Sequence, residues 1–163
     1  MPKAKGSKGL DTADNLRRTY EIAHELEQAI SEVHTAGHLV VAIAAEGMCH
    51  GGPGQAVTMA KMGMAWGALA TVARGRRIPI VIARPQEVHV HITGLQKSSK
   101  QQVQEALLKR VPRHHCTRCV APLNDCYAAI GLSRAEHPAD ALACAVYVLD
   151  TDPSVAGEMR RAA

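Results

Sequence analysis

The stretch His38-Leu39-Val40-Val41-Ala42-Ile43-Ala44-Ala45, residues 38–45, decides the fold class that this sequence predicts. Its apolar residues are continuous over the length of one strand and are partly β-branched. That pattern is typical of a strand buried on both faces of a parallel sheet. Glu46 follows directly, so its carboxylate is expected at the carboxyl edge of the sheet, where α/β proteins usually place their sites. The alternative for Glu46 is a solvated loop acid.

The segments on either side of this strand complete an α/β pattern. Upstream, Asp11 or Thr12 can cap a helix that runs to about Thr35, with one apolar face formed by Leu16, Tyr20, Ala23, Leu26, Ile30 and Val33. Downstream, a Gly-Pro loop at 51–54 precedes a second helix over 55–74, and residues 78–83 read as a second buried strand. Strand, helix and strand form a βαβ unit, whose strands should be parallel and whose crossover should be right-handed.

The helix over 55–74 is rich in Ala and Met and carries Gly63 and Gly67 four residues apart. Small residues at this spacing favour close packing of the helix on the sheet. The alternative is a subunit interface through its Met and Trp face, because methionine adapts to irregular surfaces.

Residues 85–93 are expected to be irregular or weakly extended, because Val88, Val90 and Ile92 alternate with histidines. After Gly94, either Ser98 or Ser99 can cap a helix from Lys100 to about Val111. Lys97 and Lys100 place cations at the start of that helix, where they oppose the helix dipole. Phosphate contact would account for them, since helix N-termini also bind anions; the alternative is a solvated face.

The stretch over 137–149, His-Pro-Ala-Asp-Ala-Leu-Ala-Cys-Ala-Val-Tyr-Val-Leu, predicts a buried helix with Pro138 at its first position. His137 and Asp140 lie three residues apart and project from one face of the first turn. An imidazole and a carboxylate there indicate a site that binds a cation or moves protons. Alternatively, Asp140 only complements the helix dipole, and His137 only neighbours the N-cap.

The composition limits the classes of protein to which this chain can belong. The 163 residues are 47% hydrophobic with a net charge of +4, which fits one globular domain and permits a nucleic-acid partner. The chain has no Phe and is 2% aromatic, which argues against a single-strand binder built on aromatic stacking. No run is apolar enough to span a membrane and no signal peptide is evident, so we expect a cytoplasmic, nucleoid-associated protein without a membrane partner.

Five cysteines in an intracellular chain indicate core, metal or reactive thiols rather than disulfides. The insertion over 112–136 holds the half-pattern of a structural Zn²⁺ site, with candidate ligands His114, Cys116, Cys119 and Cys126. The alternative is a loop with incidental cysteines.

Three segments in this order carry a family resemblance: the buried strand ending in Glu46, the turn and helix at 93–103 (Thr-Gly-Leu-Gln-Lys-Ser-Ser-Lys-Gln-Gln-Val), and 137–143 (His-Pro-Ala-Asp-Ala-Leu-Ala). Together they resemble the RuvC family of Holliday-junction resolvases, over about residues 11–150. The resemblance implies an RNase H-like fold, with a mixed sheet around a parallel βαβ core flanked by helices.

The resemblance also implies a metal-dependent endonuclease that cuts branched DNA as a homodimer. Its Mg²⁺ or Mn²⁺ ligands would be Glu46, His137 and Asp140, and Lys100 would lie near the scissile phosphate. The helix over 55–74 would pair the subunits. We expect further DNA contacts from Lys97 and from the basic turn that holds Arg74, Arg76 and Arg77.

The sequence departs from the family at its start. The family's first strand carries an essential metal-binding Asp, and no such strand precedes Asp11, which reads as a helix cap. We therefore expect an N-terminally truncated chain: a basic flexible arm over 1–10, the RuvC-like domain over 11–150 and a C-terminal tail over 151–163. Residues 47–50, Gly-Met-Cys-His, also lack the aromatic wedge common in the family.

Given these departures, we expect the chain by itself to be weakly active or inactive. The alternatives to a nuclease are a non-catalytic protein that binds DNA junctions and a small zinc-containing interaction protein.

Overall fold

The computed structural model describes residues 12–47, 56–110 and 136–162. They form two compact units, one of residues 12–40 and 56–78 and the other of residues 41–47, 79–110 and 136–162. The elements in chain order are α1 (Thr12–Thr35), β1 (Ile43–Glu46), α2 (Ala56–Arg76), β2 (Ile80–Ala83), α3 (Pro85–Thr93), α4 (Lys100–Arg110), α5 (Glu136–Thr151) and α6 (Pro153–Ala162). The described chain is therefore rich in helix, with a small parallel sheet, and falls in the predicted α/β class.

The first unit is a pair of helices, α1 and α2, that pack along each other. Near their carboxyl ends the Arg76 guanidinium donates a hydrogen bond to Ser31 Oγ at 3.1 Å. The predicted span of α1 is confirmed, and its end has a physical cause. Gly37 adopts a left-handed conformation (φ 79°), and the His38 amide donates to Val33 O at 3.1 Å, which closes a Schellman motif.

The apolar face predicted for α1 is only partly buried. Ile30 is buried as expected, but Leu16 is 49% exposed and Tyr20 is 68% exposed, whereas the polar Asn15 is buried. The prediction was wrong for these positions because helical spacing identifies an apolar stripe without indicating which side of it a neighbouring helix covers.

Two predictions about α2 need correction. A Cβ at Gly63 or at Gly67 would meet no atom within 4 Å, so neither glycine marks a close packing contact. In addition, α2 is long and apolar enough to cross a membrane by length and composition alone, contrary to the expectation that no run is; no other helix in the described ranges passes that test. One such helix is weak support for a membrane span, and the structure is consistent with a soluble protein.

The second unit contains the sheet, in which β1 and β2 pair in parallel with Ile43 opposite Ile80 and Glu46 opposite Ala83. The parallel pair is as predicted, but each strand has four residues and is shorter than the apolar runs indicated. Pairing starts where the Ile43 amide donates to Pro79 O at 2.9 Å. Ile82 is 60% exposed, so burial on both faces, which a continuous apolar run predicts, does not hold throughout.

Helix α5 is the centre of the second unit, because it contacts β1, β2, α3, α4 and α6. Its buried residues join those of α3 and α4 in one core, which includes Val88, Ile92, Val103, Leu107, Ala139, Ala143, Cys144 and Val148. A further link is polar: Arg110, at the end of α4, donates to Asp150 Oδ2 at 2.7 Å and to the carbonyl oxygen of His91 at 2.6 Å. These contacts hold α3, α4 and α5 together at the end opposite the start of α5.

Two segments are helical where the sequence indicated otherwise. Residues 85–93, expected to be irregular or extended, form α3, because Pro85 suits a first helical position and Gly94 ends the helix at φ 75°. The segment expected as a C-terminal tail forms α6, whose start is capped: Asp152 Oδ1 accepts hydrogen bonds from the amides of Ser154 at 2.9 Å and Val155 at 3.3 Å. These bonds, together with one from the Ser154 hydroxyl, hold the pKa of the Asp152 carboxyl below its usual range.

Candidate active site

The first site residue, Glu46, is the last residue of β1 and lies at the carboxyl end of the parallel pair. The next residue anchors it, since the Gly47 amide donates to Ala83 O at 2.8 Å and extends the strand pairing. The Glu46 side chain is therefore placed by the sheet rather than by a free loop. This position agrees with the prediction from the strand pattern.

The second site residue, Lys100, begins α4, and the turn before it is closed by a capping box. The Ser99 hydroxyl accepts a hydrogen bond from the Gln102 amide at 3.2 Å, and the Ser99 amide donates to Gln102 Oε1 at 2.8 Å. Of the two caps that the sequence allowed, the structure therefore has Ser99. The cap fixes the helix start, so Lys100 carries its charge from an ordered backbone position.

The third segment is the first turn of α5, which carries His137 and Asp140. Ala139, Ala143 and Cys144 are almost fully buried and anchor this turn in the core. His137 is exposed and Asp140 is half-buried, so the two polar side chains lie at the rim of the core rather than in it.

These three segments meet at one cavity of about 330 Å³. Its charged and polar walls are Glu46, Lys100, His137 and Asp140, joined by His89 from α3. Its apolar walls come from Pro85, Val88, Ala143 and Cys144. Four residues from three separate segments, which the family resemblance assigned to one site, thus share a single cavity within the second unit.

The pKa of the Cys144 thiol reflects the negative charge around this cavity. Burial is the main cause that raises the pKa of Cys144 to about 11, and the nearby carboxylates of Glu46 and Asp140 contribute the rest of that shift. Both carboxylates therefore act on the same buried atom, which supports their placement around one point. The thiol is protonated at neutral pH and is not a nucleophile there.

His89 is the cavity residue that sequence reasoning missed. The prediction of an extended segment over 85–93 gave no reason to direct His89 toward the site. In the helical α3, Val88 packs into the core while His89 lines the cavity, and its Nδ1 lies 3.2 Å from Ser98 Oγ. The signal available in the sequence was Pro85 followed by Val88 and Ile92 at a spacing of four, which is typical of a short helix.

Other predicted site residues lie elsewhere. Lys97 is exposed in the turn before α4 and is not part of the cavity wall. Arg74, Arg76 and Arg77 belong to the first unit, at the end of α2. The zinc candidates His114, Cys116, Cys119 and Cys126 lie outside the described residues.

Two of the cavity residues, Glu46 and Asp140, carry carboxylates, which are the ligand type that hard divalent cations prefer. Within the described ranges, no three His, Cys, Asp or Glu side chains are placed to hold a metal ion between them. However, Mg²⁺ often takes only one or two carboxylates from a protein and completes its coordination with waters and substrate phosphates. Glu46 and Asp140 could serve as those carboxylates, with His137 beside them.

Comparisons of this chain with known protein families, with curated proteins and with solved structures return no match.

Proposed function

We propose that this chain is a metal-dependent nuclease with an RNase H-like, RuvC-type fold that acts on branched DNA such as Holliday junctions. One observation carries the proposal: Glu46, Lys100, His137 and Asp140 line one cavity, although they come from three separate segments. Two carboxylates can hold a divalent ion, a lysine can neutralise a phosphate and an imidazole can transfer a proton, and phosphodiester hydrolysis can use all three functions.

The carboxylates are the basis of the proposed chemistry. Glu46 is fixed by the end of β1 and Asp140 by the first turn of α5, so both are held by ordered backbone. A bound Mg²⁺ would supply Lewis acidity and a water of lowered pKa. The two carboxylates would hold that ion at the carboxyl edge of the sheet and would leave coordination positions for water and a phosphate oxygen.

The basic groups of the cavity suit two other parts of the proposed reaction, which are phosphate binding and proton transfer. Lys100 places a positive charge at the cavity wall, where it would attract a phosphate and offset charge that develops on its oxygens. His137 and His89 are candidate proton carriers, because imidazole titrates near neutral pH. Ser98 orients the His89 ring through its contact with Nδ1.

The proposed partner is branched DNA, bound by a homodimer that pairs through α2. The support is the mildly basic chain, with net charge +4, and the exposed cations Arg74, Arg76, Arg77 and Lys97. The resemblance implies one more metal-binding Asp than this sequence supplies, so we expect weak cleavage from the 163-residue chain. If the reading frame continues upstream of Met1, the chain with those residues is the second form to assay.

The test is cleavage of a labelled four-way junction and of a linear duplex in Mg²⁺ or Mn²⁺, with both forms of the chain. We expect metal-dependent cleavage of the junction, and a loss of about a hundredfold or more in Asp140→Asn and Glu46→Gln. Lys100→Met should lower the rate as well. Lys109→Met is the matched control, because Lys109 is an exposed lysine of the same helix that does not line the cavity.

Junction binding without cleavage in either form would reject the nuclease and favour a non-catalytic junction binder. Cleavage that survives Asp140→Asn undiminished would show that a different site, or a contaminant, is responsible.

A further inference from the structure

A second cavity, of about 170 Å³, lies in the helix pair of the first unit. Asn15, Arg18 and Thr19 of α1 line it on one side, and Lys61 and Met64 of α2 line it on the other. The helices run in parallel, because this contact joins their first turns while Arg76 meets Ser31 near their last turns. The cavity therefore lies between the amino-terminal halves of both helices.

Asn15 is the unusual residue of this cavity. It is 6% exposed, and only its backbone oxygen has a partner, the Thr19 hydroxyl at 2.8 Å. Within the described ranges its side-chain amide makes no hydrogen bond. A buried amide without a partner is destabilising, and proteins rarely retain one. The amide can donate two hydrogen bonds to a molecule in the cavity.

Of the other polar residues that line the cavity, Arg18 and Lys61 are positively charged, and the Thr19 hydroxyl is bonded to Asn15 O. Arg18 pairs through Nε with Asp14 at 2.8 Å, which leaves its terminal nitrogens without partners in the described part of the chain. The Lys61 ammonium likewise has no partner there. Among the described residues that line the cavity there is no carboxylate. Two cations and an amide donor in such a wall favour an anion.

We propose that this cavity binds a phosphate-type oxyanion, either free phosphate or a phosphate of a nucleic-acid backbone. The Asn15 amide, the Arg18 guanidinium and the Lys61 ammonium would donate hydrogen bonds to its oxygens. Ile22, Met64 and Ala65 form the apolar part of the wall. The proposal is independent of the proposed nuclease, since it uses none of the residues of the active-site cavity.

The direct test is NMR spectroscopy of the ¹⁵N-labelled 163-residue chain in EDTA, titrated with inorganic phosphate at constant ionic strength against chloride. We expect a saturable shift of the Asn15 side-chain NH₂ signals. Lys61→Met should weaken phosphate binding about tenfold or more, because it removes one charge-assisted donor and keeps the aliphatic length. Lys109→Met, a lysine of the other unit, should leave it unchanged. No saturable shift, or equal binding by Lys61→Met, would overturn the proposal.

A second variant separates a ligand-binding asparagine from a structural one. Asn15→Leu has a similar volume and removes the unpartnered amide. Without phosphate it should raise the temperature of unfolding, and it should abolish the stabilisation that phosphate gives the wild type. A lower unfolding temperature for Asn15→Leu without phosphate would contradict the proposal, because it would mean that Asn15 stabilises the fold by itself.

A third experiment, with a short DNA duplex, distinguishes free phosphate from backbone phosphate as the ligand. If the duplex shifts the Asn15 signals and inorganic phosphate competes with it, the site takes backbone phosphate. If inorganic phosphate alone shifts them, the site takes the free ion. Both outcomes support the cavity as a phosphate site, and a shift from neither overturns it.

Discussion

Arg77, the residue after α2, adopts a left-handed backbone conformation. Gly37, which follows the end of α1, adopts the same conformation. The φ angles are 56° and 79°, and both helices end in the same type of closing hydrogen bond, Ile78 N to Ala73 O at 2.9 Å in one and His38 N to Val33 O at 3.1 Å in the other. Glycine takes this conformation without strain, whereas an L side chain has to accept a close contact between its Cβ and the backbone.

The first prediction is that Arg77→Gly stabilises the protein. The strain of a left-handed residue is about 1–2 kcal/mol, and the added flexibility of glycine in the unfolded chain offsets part of it, so the expected gain is about 0.5–1 kcal/mol. Denaturant unfolding measures it. Arg74→Gly is the matched control, because Arg74 lies inside α2 and glycine there should cost about 1 kcal/mol. A loss of stability in Arg77→Gly would mean that the Arg77 side chain stabilises the fold by more than the left-handed backbone conformation destabilises it.

The second prediction concerns alkaline pH and Cys144. Because the folded state raises the pKa of this thiol to about 11 from its ordinary 9.0, the folded chain holds the proton more tightly than the unfolded chain does. The stability from this group is complete below pH 9 and is lost as the pH rises toward 11. The wild-type free energy of unfolding should therefore fall by about 2–3 kcal/mol more over this interval than that of Cys144→Ala. Parallel pH profiles for the two proteins would contradict the prediction.

The third prediction tests whether the two carboxylates share the cavity. Glu46→Gln and Asp140→Asn should each lower the pKa of Cys144, measured from the ultraviolet absorbance of the thiolate. Neither should bring it to the ordinary value, because burial is the larger cause. Glu105→Gln, an exposed carboxyl of α4 that does not line the cavity, should leave the pKa unchanged. An unchanged pKa in both cavity variants would separate these carboxylates from the thiol.

The fourth prediction separates two adjacent serines. Ser99→Ala removes the capping hydroxyl of α4 and should cost about 1 kcal/mol in denaturant unfolding. Ser98→Ala should cost less, because its hydroxyl contacts the His89 ring instead. It should change the chemical shifts of the His89 ring protons in NMR spectra, and Ser99→Ala should not. The reverse pattern would contradict the capping box.

The fifth prediction concerns the two glycines of α2. Since a Cβ at Gly63 or Gly67 meets no atom within 4 Å, each alanine substitution should raise the stability of the helix by about 0.5–1 kcal/mol. Light scattering should be recorded alongside unfolding. A variant that is less stable, or that dissociates a wild-type dimer, would show that these glycines contact a second copy of the chain.

The success of the sequence predictions depended on how local the determining interactions are. The limits of α1 were predicted well because its start signals and its terminal glycine lie within a few residues of the helix. The start of α4 was predicted for the same reason, since the Ser99 cap is decided by Gln102 three residues later. The α3 segment was missed because Val88, Val90 and Ile92 satisfy a strand pattern as well as a helix pattern. Burial of Val88 and Ile92 against α4 and α5 decides between them, and a local sequence does not contain that information.

The candidate site was predicted in the same uneven way. Glu46, His137 and Asp140 could be named because each lies at the end of an element whose type the sequence indicates. His89 could not, since its direction depends on α3 being helical. The exposed side of α1 was also beyond prediction, because it depends on which part of the stripe α2 covers.

One consequence follows from the way the active-site cavity is assembled. Glu46, Lys100 and Asp140 belong to three segments that meet only when β1, α4 and α5 are packed together, so the cavity belongs to the folded state alone. Any ion or small molecule that occupies it must therefore shift the folding equilibrium toward the native chain, in proportion to the logarithm of its concentration above its dissociation constant. The melting temperature of the protein therefore reports how far the cavity is occupied. Ligands for this cavity can be identified from the melting temperature in their presence, before any reaction is known.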